Sequence, residues 1–589
     1  MSMYRYLLNH VLRVSAFMQR LAEQTGCTDP NDLRDIMQMG LDDGSLSLFP
    51  VGEGEDARLF VKNGCVDFKG KTVSRLQRSD EEIRRRSIAP DGNIIGNDLS
   101  LVYTTAVNYL SAGKFKPNGL ILSTMRALAS EGYFHPKKNM MELLMLQEFA
   151  EFGTGEYYLP MFPDFRYRIY TDSQGIASYQ GGDCHRAICD FAERLPAEDE
   201  DIQVFLEVIA EEYGVTEENY REILSDPVQF VKDFTGKKPF CALRAAEAIR
   251  EMKEDGVSGY ILQQDQTASG PALYGWFTGD EGLCRLTNFY PSITKQCIYK
   301  AAAQLVDGAD LLPMQVRGNP LFIERKTAKT FIVPMVYSAA NPSLTRGAIL
   351  KDGQNKKIKF IDNIGNYLPG SLEAISLDNL NDRFSGTWAD MGWSLAVRVA
   401  SDVARAYENA IFGSKTVGGL TTRLRPAMVS LKRASRSMRL SGGVLNWTSP
   451  SGCKVFNRQL SIDLEADPVF INLRGGDGKR HRVSFQPIAV GSSDAAAPPN
   501  VIHSADGSIV HFVAVRAMED GYRLAPIHDS FGTHICGARW IRATFKTVMV
   551  YKIPRQWVNT NILIPSKVDP LPYEGADIDR FLKARHYLG

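Results

Sequence analysis

The stretch Ile527-His528-Asp529-Ser530-Phe531-Gly532-Thr533 decides how this chain is read. Tyr522-Arg523-Leu524-Ala525-Pro526 leads into it, and His534-Ile535-Cys536-Gly537-Ala538 follows. Apolar residues run up to a lone carboxylate at a tight bend and then resume, the pattern of a β-hairpin with Asp529 at its turn. A carboxylate held at a strand end suits a hard cation such as Mg²⁺, which takes oxygen donors. An Asp at such a bend serves equally as a turn former whose side chain bonds its own backbone. Taken alone, the stretch leaves both readings open.

Working outward, Asp265 is a second carboxylate of the same kind. Tyr260-Ile261-Leu262-Gln263-Gln264 reads as a short strand delivering Asp265 to its end, where Gln266-Thr267-Ala268-Ser269-Gly270 begins a helix. Two such carboxylates could share two metal ions about 4 Å apart, the arrangement of in-line phosphoryl transfer. A helix cap is the plainer use of Asp265. A third stretch, Glu324-Arg325-Lys326-Thr327-Ala328-Lys329-Thr330-Phe331-Ile332-Val333-Pro334-Met335-Val336-Tyr337, places Arg325 and Lys329 one helical turn apart. Paired cations of that kind suit a triphosphate, the Arg as a fork and the Lys as a point charge, although most such pairs are simply solvated. Pro334 should end or kink this helix before Tyr337. Two further stretches stand out: Asp164-Phe165-Arg166-Tyr167-Arg168-Ile169-Tyr170-Thr171-Asp172-Ser173, continuing to Asp183, and Pro499-Asn500-Val501-Ile502-His503-Ser504-Ala505-Asp506-Gly507-Ser508.

In order and spacing, these five stretches resemble the single-subunit DNA-directed RNA polymerases of bacteriophages and mitochondria, over about residues 140–589. IHDSFGT is similar to that family's third polymerase motif and PPNVIHSADGS to its APNxVHSxDGS element. RKTAKTFIVPMVYS is similar to its second motif, RxxxKxxxMxxxYG, DQTASG to its first, DGSCSG, and DFRYRIYTDS to its DxxGR element. Lesser echoes are Pro239–Leu243, Cys297-Ile298-Tyr299 and Leu445–Thr448.

The resemblance implies an α+β right-hand fold, with an antiparallel palm sheet, helical fingers and a helical thumb. It implies two Mg²⁺ ions held by Asp265 and Asp529, with the Gln266 carbonyl as a further ligand. Arg325 and Lys329 would grip the incoming triphosphate, and Lys329 would also protonate the pyrophosphate leaving group. Tyr337, Tyr299 and His503 would line the ribose and base site, and Asp164 and Arg168 would act at the nucleic acid. The chemistry implied is attack of an RNA 3′-hydroxyl on the α-phosphate of an NTP over a DNA template, driven by positioning and charge neutralisation.

Departures from the pattern are Tyr167 for the glycine of DxxGR, Ser338 for the glycine after the motif tyrosine, Gln266 for another glycine, and Pro334 inside its helix. They bear on template handling rather than on the carboxylates. The related DNA polymerases of the right-handed family are the nearest alternative. They usually carry a bulky Glu five residues after the first metal Asp, to block a 2′-hydroxyl, and an HDE motif. Here those positions hold Gly270 and Ser530, which side with ribonucleotides. A catalytically inactive structural subunit with the same fold is a third reading. Retention of Asp265, Asp529, Arg325, Lys329 and Tyr337 together opposes it.

Composition agrees without deciding. The 589 residues are 44% apolar and 23% charged, as in ordinary globular proteins, and Lys+Arg and Asp+Glu balance at 68 each. A nucleic-acid binder must then concentrate its positive charge locally. Residues 423–439 do so, with Arg423, Arg425, Lys432, Arg433, Arg436 and Arg439 and no acid; they could track phosphates or form a generic basic face. Nine scattered Cys without a CxxC pair argue for a reducing compartment and against a zinc site. No apolar run approaches the roughly 20 residues that span a bilayer. Residues 4–22, with three Arg and no acid, read as a structural amphipathic helix rather than a targeting leader.

The expected layout is a reduced N-terminal region (1–95) with a short hairpin near 57–73, a helical thumb (96–156), palm (157–282), fingers (283–503) and second palm segment with tail (504–589). Within it, 291–440 reads as helical apart from 338–372, 444–516 as strand-rich, 536–552 as a helix, and 462–492 as a short version of the family's promoter-reading loop. With few residues before Asp164, the chain is expected to need single-stranded template or an accessory single-stranded-DNA-binding or promoter-opening protein. A monomer in a phage-infected bacterial cytoplasm, with no membrane partner, is the expected setting.

Overall fold

The computed structural model describes residues 100–135, 139–159, 161–171, 177–312, 317, 322–339, 393–457, 467 and 493–588, with shorter pieces at 12–13, 29–42, 46–51, 58–63, 459–462, 469–474, 480–485 and 488–491. The chain forms two compact units.

The first unit comprises Met1–Asp265, Asn446–Ser492 and Ser504–Ile553. Its pivotal sheet is antiparallel, in the order Ala525–Ile527, Ser530–Thr533, Leu262–Asp265. Ser530 stands opposite Asp265 and Thr533 opposite Leu262, so the strand that ends in one carboxylate pairs with the strand that begins just after the other. All four residues of Ser530–Thr533 are buried. Gly532 is required there: a Cβ would lie 2.6 Å from Ile261 Cγ2 and 2.7 Å from the Ala525 carbonyl. His528 makes the bend with a φ of +54°, a left-handed value that His tolerates better than most residues.

Side chains alternate across this sheet. Gln264, fully buried, donates to the Ala538 carbonyl (2.9 Å) and accepts from Arg542 Nε (2.7 Å). It thereby anchors the sheet to the helix Ala538–Lys552. That helix buries Ala538, Ile541, Thr544, Phe545, Val548 and Met549, the i, i+3, i+4 stripe that makes it amphipathic. Phe545 meets Phe531 from the sheet.

A second sheet orders Tyr157–Tyr158, Lys114–Pro117 and Cys189–Phe191. The hairpin Met161–Pro163/Ile169–Thr171 presents residues 164–168 at its turn. The 459–491 region is a ribbon: Gln459–Ile462 pairs with Ile488–Gly491, and Val469–Arg474 with Arg480–Phe485. The helix Pro30–Asp42 clips to it, Gln38 exchanging two hydrogen bonds with the Arg474 backbone (2.8 and 3.1 Å).

The second unit, Gln266–Leu445, Ser493–His503 and Pro554–Gly589, is mainly helical. Asp280, fully buried, accepts from the Leu283, Thr422 and Arg423 amides and so ties two helix starts together. The C-terminal Phe581 packs against Trp276 and Phe289, and Gln266 bridges to Leu588.

Some sequence expectations differ from what is observed. Residues 497–516 are not strand: Ala497–Asp520 is a 24-residue helix. Its Ala, Ser and Gly content and the burial of most of residues 497–514 hid the 3.6-residue period, because a helix covered on all sides shows no polar stripe. The segment expected to be mostly helical also contains the short strand Lys114–Pro117, pairing with Tyr157 and Cys189 on either side. Leu12–Arg13 pairs as strand with Phe60 and Val61, where an amphipathic helix was expected; the rest of 4–22 lies outside the described residues, as does most of 338–372. The hairpin near 57–73 instead pairs Arg58–Asn63 with Leu46–Val51. The seven cysteines among the described residues are free thiols. No helix among the described residues is long and apolar enough to cross a membrane.

Candidate active site

In the first unit, Asp265 is exposed at its strand end and Asp529 is half-buried at the facing bend. Burial, then the neighbouring Asp506 and Asp265 carboxylates, push the Asp529 carboxyl up to about 7. Like charges crowd this spot, and a divalent cation would relieve the crowding. The donor set is two carboxylates and backbone oxygens, which suits a hard cation that keeps several waters. No group of three or more His, Cys, Asp or Glu forms an all-protein metal cage among the described residues.

Asp506 is the residue sequence reasoning missed. It is buried and ion-paired with Arg168 Nη2. Asp506 lies three residues after His503 inside a stretch already singled out, but reading that stretch as strand gave no means of choosing its inward face. Asp164 accepts from the Arg166 and Arg168 amides (2.8 and 3.1 Å) and from the Arg166 guanidinium (2.6 and 3.0 Å), so its carboxylate builds the turn that aims Arg168. Tyr170 closes this turn, its hydroxyl 3.2 Å from Asp164 and its ring against His528.

Tyr167, the substitute for glycine, keeps a glycine-like φ of +64°. Its carbonyl accepts from His511 Nε2 (2.9 Å), and Gly507 lies close beneath it. Its buried ring packs edge-on against Tyr103. His511 is held neutral: burial lowers its pKa to about 4, and its other nitrogen accepts from the Ser451 hydroxyl (2.9 Å). His511, also absent from the sequence reading, fixes the turn that carries Arg168.

In the second unit, Arg325 and Lys329 do share a face. The Arg325 guanidinium lies 5.5 Å and the Lys329 ammonium 5.9 Å from the centre of the Tyr299 ring. The helix Arg325–Val336 runs through Pro334 in its last turn and stops at Tyr337. Ser338 follows with a φ of +71°. Tyr337 packs against His503 (ring centres 4.8 Å apart), and a Cβ on Gly270 would come within 2.5 Å of its hydroxyl. Gln266 is buried.

The basic helix Leu424–Leu440 is divided in use. Arg423, at its start, donates to the Thr278 and Gly279 carbonyls (2.7 and 3.2 Å) and covers Tyr573. Arg425 pairs with Glu408 (2.6 Å) and Arg439 with Asp494 (3.0 Å). Arg433 and Arg436 are exposed.

The family model for DNA-dependent RNA polymerase matches residues 217–553, more than half of the chain. The chain belongs to that family. Among its relatives, the mitochondrial DNA-directed RNA polymerase of Schizosaccharomyces pombe is 24% identical over 428 residues, 67% of this chain and 34% of that protein. The mitochondrial DNA-directed RNA polymerase 1B of Nicotiana tabacum is 22% identical over 422 residues, 64% of this chain and 37% of that protein. A chloroplastic DNA-directed RNA polymerase 3B of the same plant is 30% identical over 146 residues, covering 23% and 14%. This polymerase-family chain therefore spans about a third of the length of those two mitochondrial relatives. Among solved structures, the POL domain of Pol1 from M. smegmatis in complex with DNA primer-template and dNTP aligns over 81% of this chain and 70% of that one, at 11% identity. The TM-score of that alignment is 0.29.

Proposed function

We propose that the chain is a DNA-directed RNA polymerase of the single-subunit type, adding NTPs to an RNA 3′-end over a DNA template. The observation that carries this is the strand pairing of Ser530 with Asp265, which sets two carboxylates of a matched family motif at neighbouring strand ends. Asp265 and Asp529 would hold Mg²⁺, two ions in the full site with the Gln266 carbonyl as a further ligand. Bound there, the metal would lower the charge barrier to 3′-hydroxyl attack on the α-phosphate.

The chain's own residues supply the remainder. Arg325 and Lys329 grip the triphosphate from one helix face, and Lys329 is placed to give a proton to the departing pyrophosphate. Tyr299 backs both cations through its ring face. Tyr337, wedged between His503 and Gly270, lines the ribose site. Glycine at 270 leaves no side chain to exclude a 2′-hydroxyl, which favours ribonucleotides over deoxyribonucleotides. Arg168, aimed by the Asp164 turn and held by Asp506, contacts nucleic acid. Arg433 and Arg436 track backbone phosphates.

In the right-hand layout, the palm draws on 157–282 and 504–589, the fingers on 283–503 and the thumb on 96–156. The ribbon that includes 462–492 would serve as this chain's short version of the family's promoter-reading loop. Its exposed face carries Phe470, Arg474 and Arg482, the last lying 4.3 Å over the Phe470 ring. A single-stranded template or an accessory DNA-binding protein completes initiation, and the enzyme works as a monomer. The relatives named above are mitochondrial and chloroplastic, which lends the expected phage origin and bacterial-cytoplasm setting no support.

Primer extension on single-stranded DNA with Mg²⁺, comparing NTPs with dNTPs, tests the reading. Expected are NTP incorporation and its abolition in Asp529→Asn. Preference for dNTPs would favour the DNA polymerase alternative. No incorporation of either nucleotide, with Asp529→Asn indistinguishable from the natural chain, would favour a structural subunit.

A further inference from the structure

A cavity of about 640 Å³ opens in the first unit, with Pro196, Glu198, Asp201, Tyr522, Arg539 and Trp540 among its lining residues. Its wall is an aromatic pair: the Tyr522 and Trp540 rings stack at 4.5 Å with a 20° angle between planes. Trp540 is fixed in place, its indole N–H donating to Asp520 (2.9 Å). Its rim is acidic. The run Glu198-Asp199-Glu200-Asp201 opens the helix Asp199–Tyr213, and the side chains of Glu198 and Glu200 are 75% and 68% exposed.

The only guanidinium among the lining residues is that of Arg539, and it is already engaged by Glu198, by Glu200 (3.7 Å) and by the buried Asp201 (3.1 Å). Arg516 is likewise held by Glu519 and Asp520. Carboxylates therefore outnumber cations around the mouth. Polyanionic template or product is repelled from such a rim, whereas a flat cation gains twice, from the carboxylates and from the face of the aromatic pair.

We infer that this cavity docks an arginine-bearing basic segment of a protein partner, with a guanidinium stacked on Trp540 and paired to Glu198 and Glu200. The position gives the contact a consequence. Trp540 sits on the helix Ala538–Lys552, whose first carbonyl accepts from Gln264, the residue before Asp265. An occupant would thus rest on the element that supports the metal-site strand, without touching the site.

The test uses the full chain and a short labelled Arg-Gly repeat peptide, read by fluorescence anisotropy and by quenching of Trp540. Lys-Gly and Glu-Gly peptides and single-stranded DNA serve as competitors. Expected is saturable binding of the Arg-Gly peptide, weaker displacement by Lys-Gly, and none by Glu-Gly or DNA. Trp540→Ala should weaken binding about tenfold, the scale of a partly desolvated cation–π contact. Glu200→Lys, a change at an exposed position that should leave the fold intact, should weaken it comparably. Glu217→Lys, on a different exposed surface, should not. Equal binding to all four proteins, displacement by DNA, or occupation of the cavity by a second copy in sedimentation would overturn the inference. Because the readout is binding, its failure is distinguishable from failure of the polymerase reading.

Discussion

Gly270→Ala is the most informative single change. An added Cβ would lie 2.5 Å from the Tyr337 hydroxyl, 2.9 Å from Cζ and 3.1 Å from Cε1. Ordinary carbon contacts begin near 3.5 Å, so the ring would have to withdraw by roughly 1 Å at its hydroxyl, and His503 packs against it. Gly270 is the second residue of the helix Ser269–Thr278, where Gly→Ala gains at most about 1 kcal/mol of helix propensity, while overpacking costs about 1–3 kcal/mol. The net should be a loss of about 0–2 kcal/mol, leaving the protein folded. Catalysis should suffer more, since a displacement of this order at a positioning residue costs roughly 10- to 100-fold. Single-nucleotide addition kinetics with thermal melting alongside would measure both. In a Tyr337→Phe background the nearest atom becomes Cζ, so the clash eases without vanishing. The two changes should then couple by about 0.5–1 kcal/mol. A folded Gly270→Ala enzyme with kcat/KM within about twofold of the natural chain would refute the claim that Gly270 holds Tyr337 in register.

Other consequences follow from the first unit. Burial lowers both His511 and His534 to about 4, below the usual 6.5. The unfolded chain therefore takes up protons that the folded chain refuses, and stability should be full above pH 6.5 and fall toward pH 4, each histidine contributing up to about 3 kcal/mol. Urea midpoints across that range should show a shallower pH slope in His511→Gln, and an unchanged slope would argue against a buried neutral imidazole. Asp506→Asn leaves the mostly buried Arg168 without its anion and should destabilise by about 3 kcal/mol in urea unfolding; an effect under 1 kcal/mol would mean that the pair is solvent-screened. Tyr167→Gly relieves a left-handed backbone worth about 1 kcal/mol but empties the space against Tyr103, an aromatic truncation worth about 3 kcal/mol or more. Its melting temperature should fall, and a rise would show that backbone strain outweighs the packing.

Much of the site was legible because its chemistry is local. A strand ending in Asp265, a hairpin bending at Asp529 and a helix carrying Arg325 and Lys329 each follow from spacings of a few residues, and each element is observed. That the helix ends before Tyr337 was equally readable, but it runs through Pro334 and stops where Ser338 turns left-handed, with a φ of +71°. The two positive-φ departures were visible only as oddities. That Tyr167 and Ser338 keep the backbone of the glycines they replace depends on what surrounds them, in the first case His511, Gly507 and Tyr103.

What the sequence by itself determined is the set of candidate groups and the short elements that present them, because strand, turn and helix preferences are set by neighbours along the chain. Tertiary structure alone decided the environment of those groups. It placed Asp506 close enough to Asp529 to raise its pKa, gave the Arg423 guanidinium two carbonyl partners, and made a helix of 497–520. Burial, charge crowding and carbonyl capture depend on residues that are distant in sequence, and a one-dimensional pattern holds no distances between them.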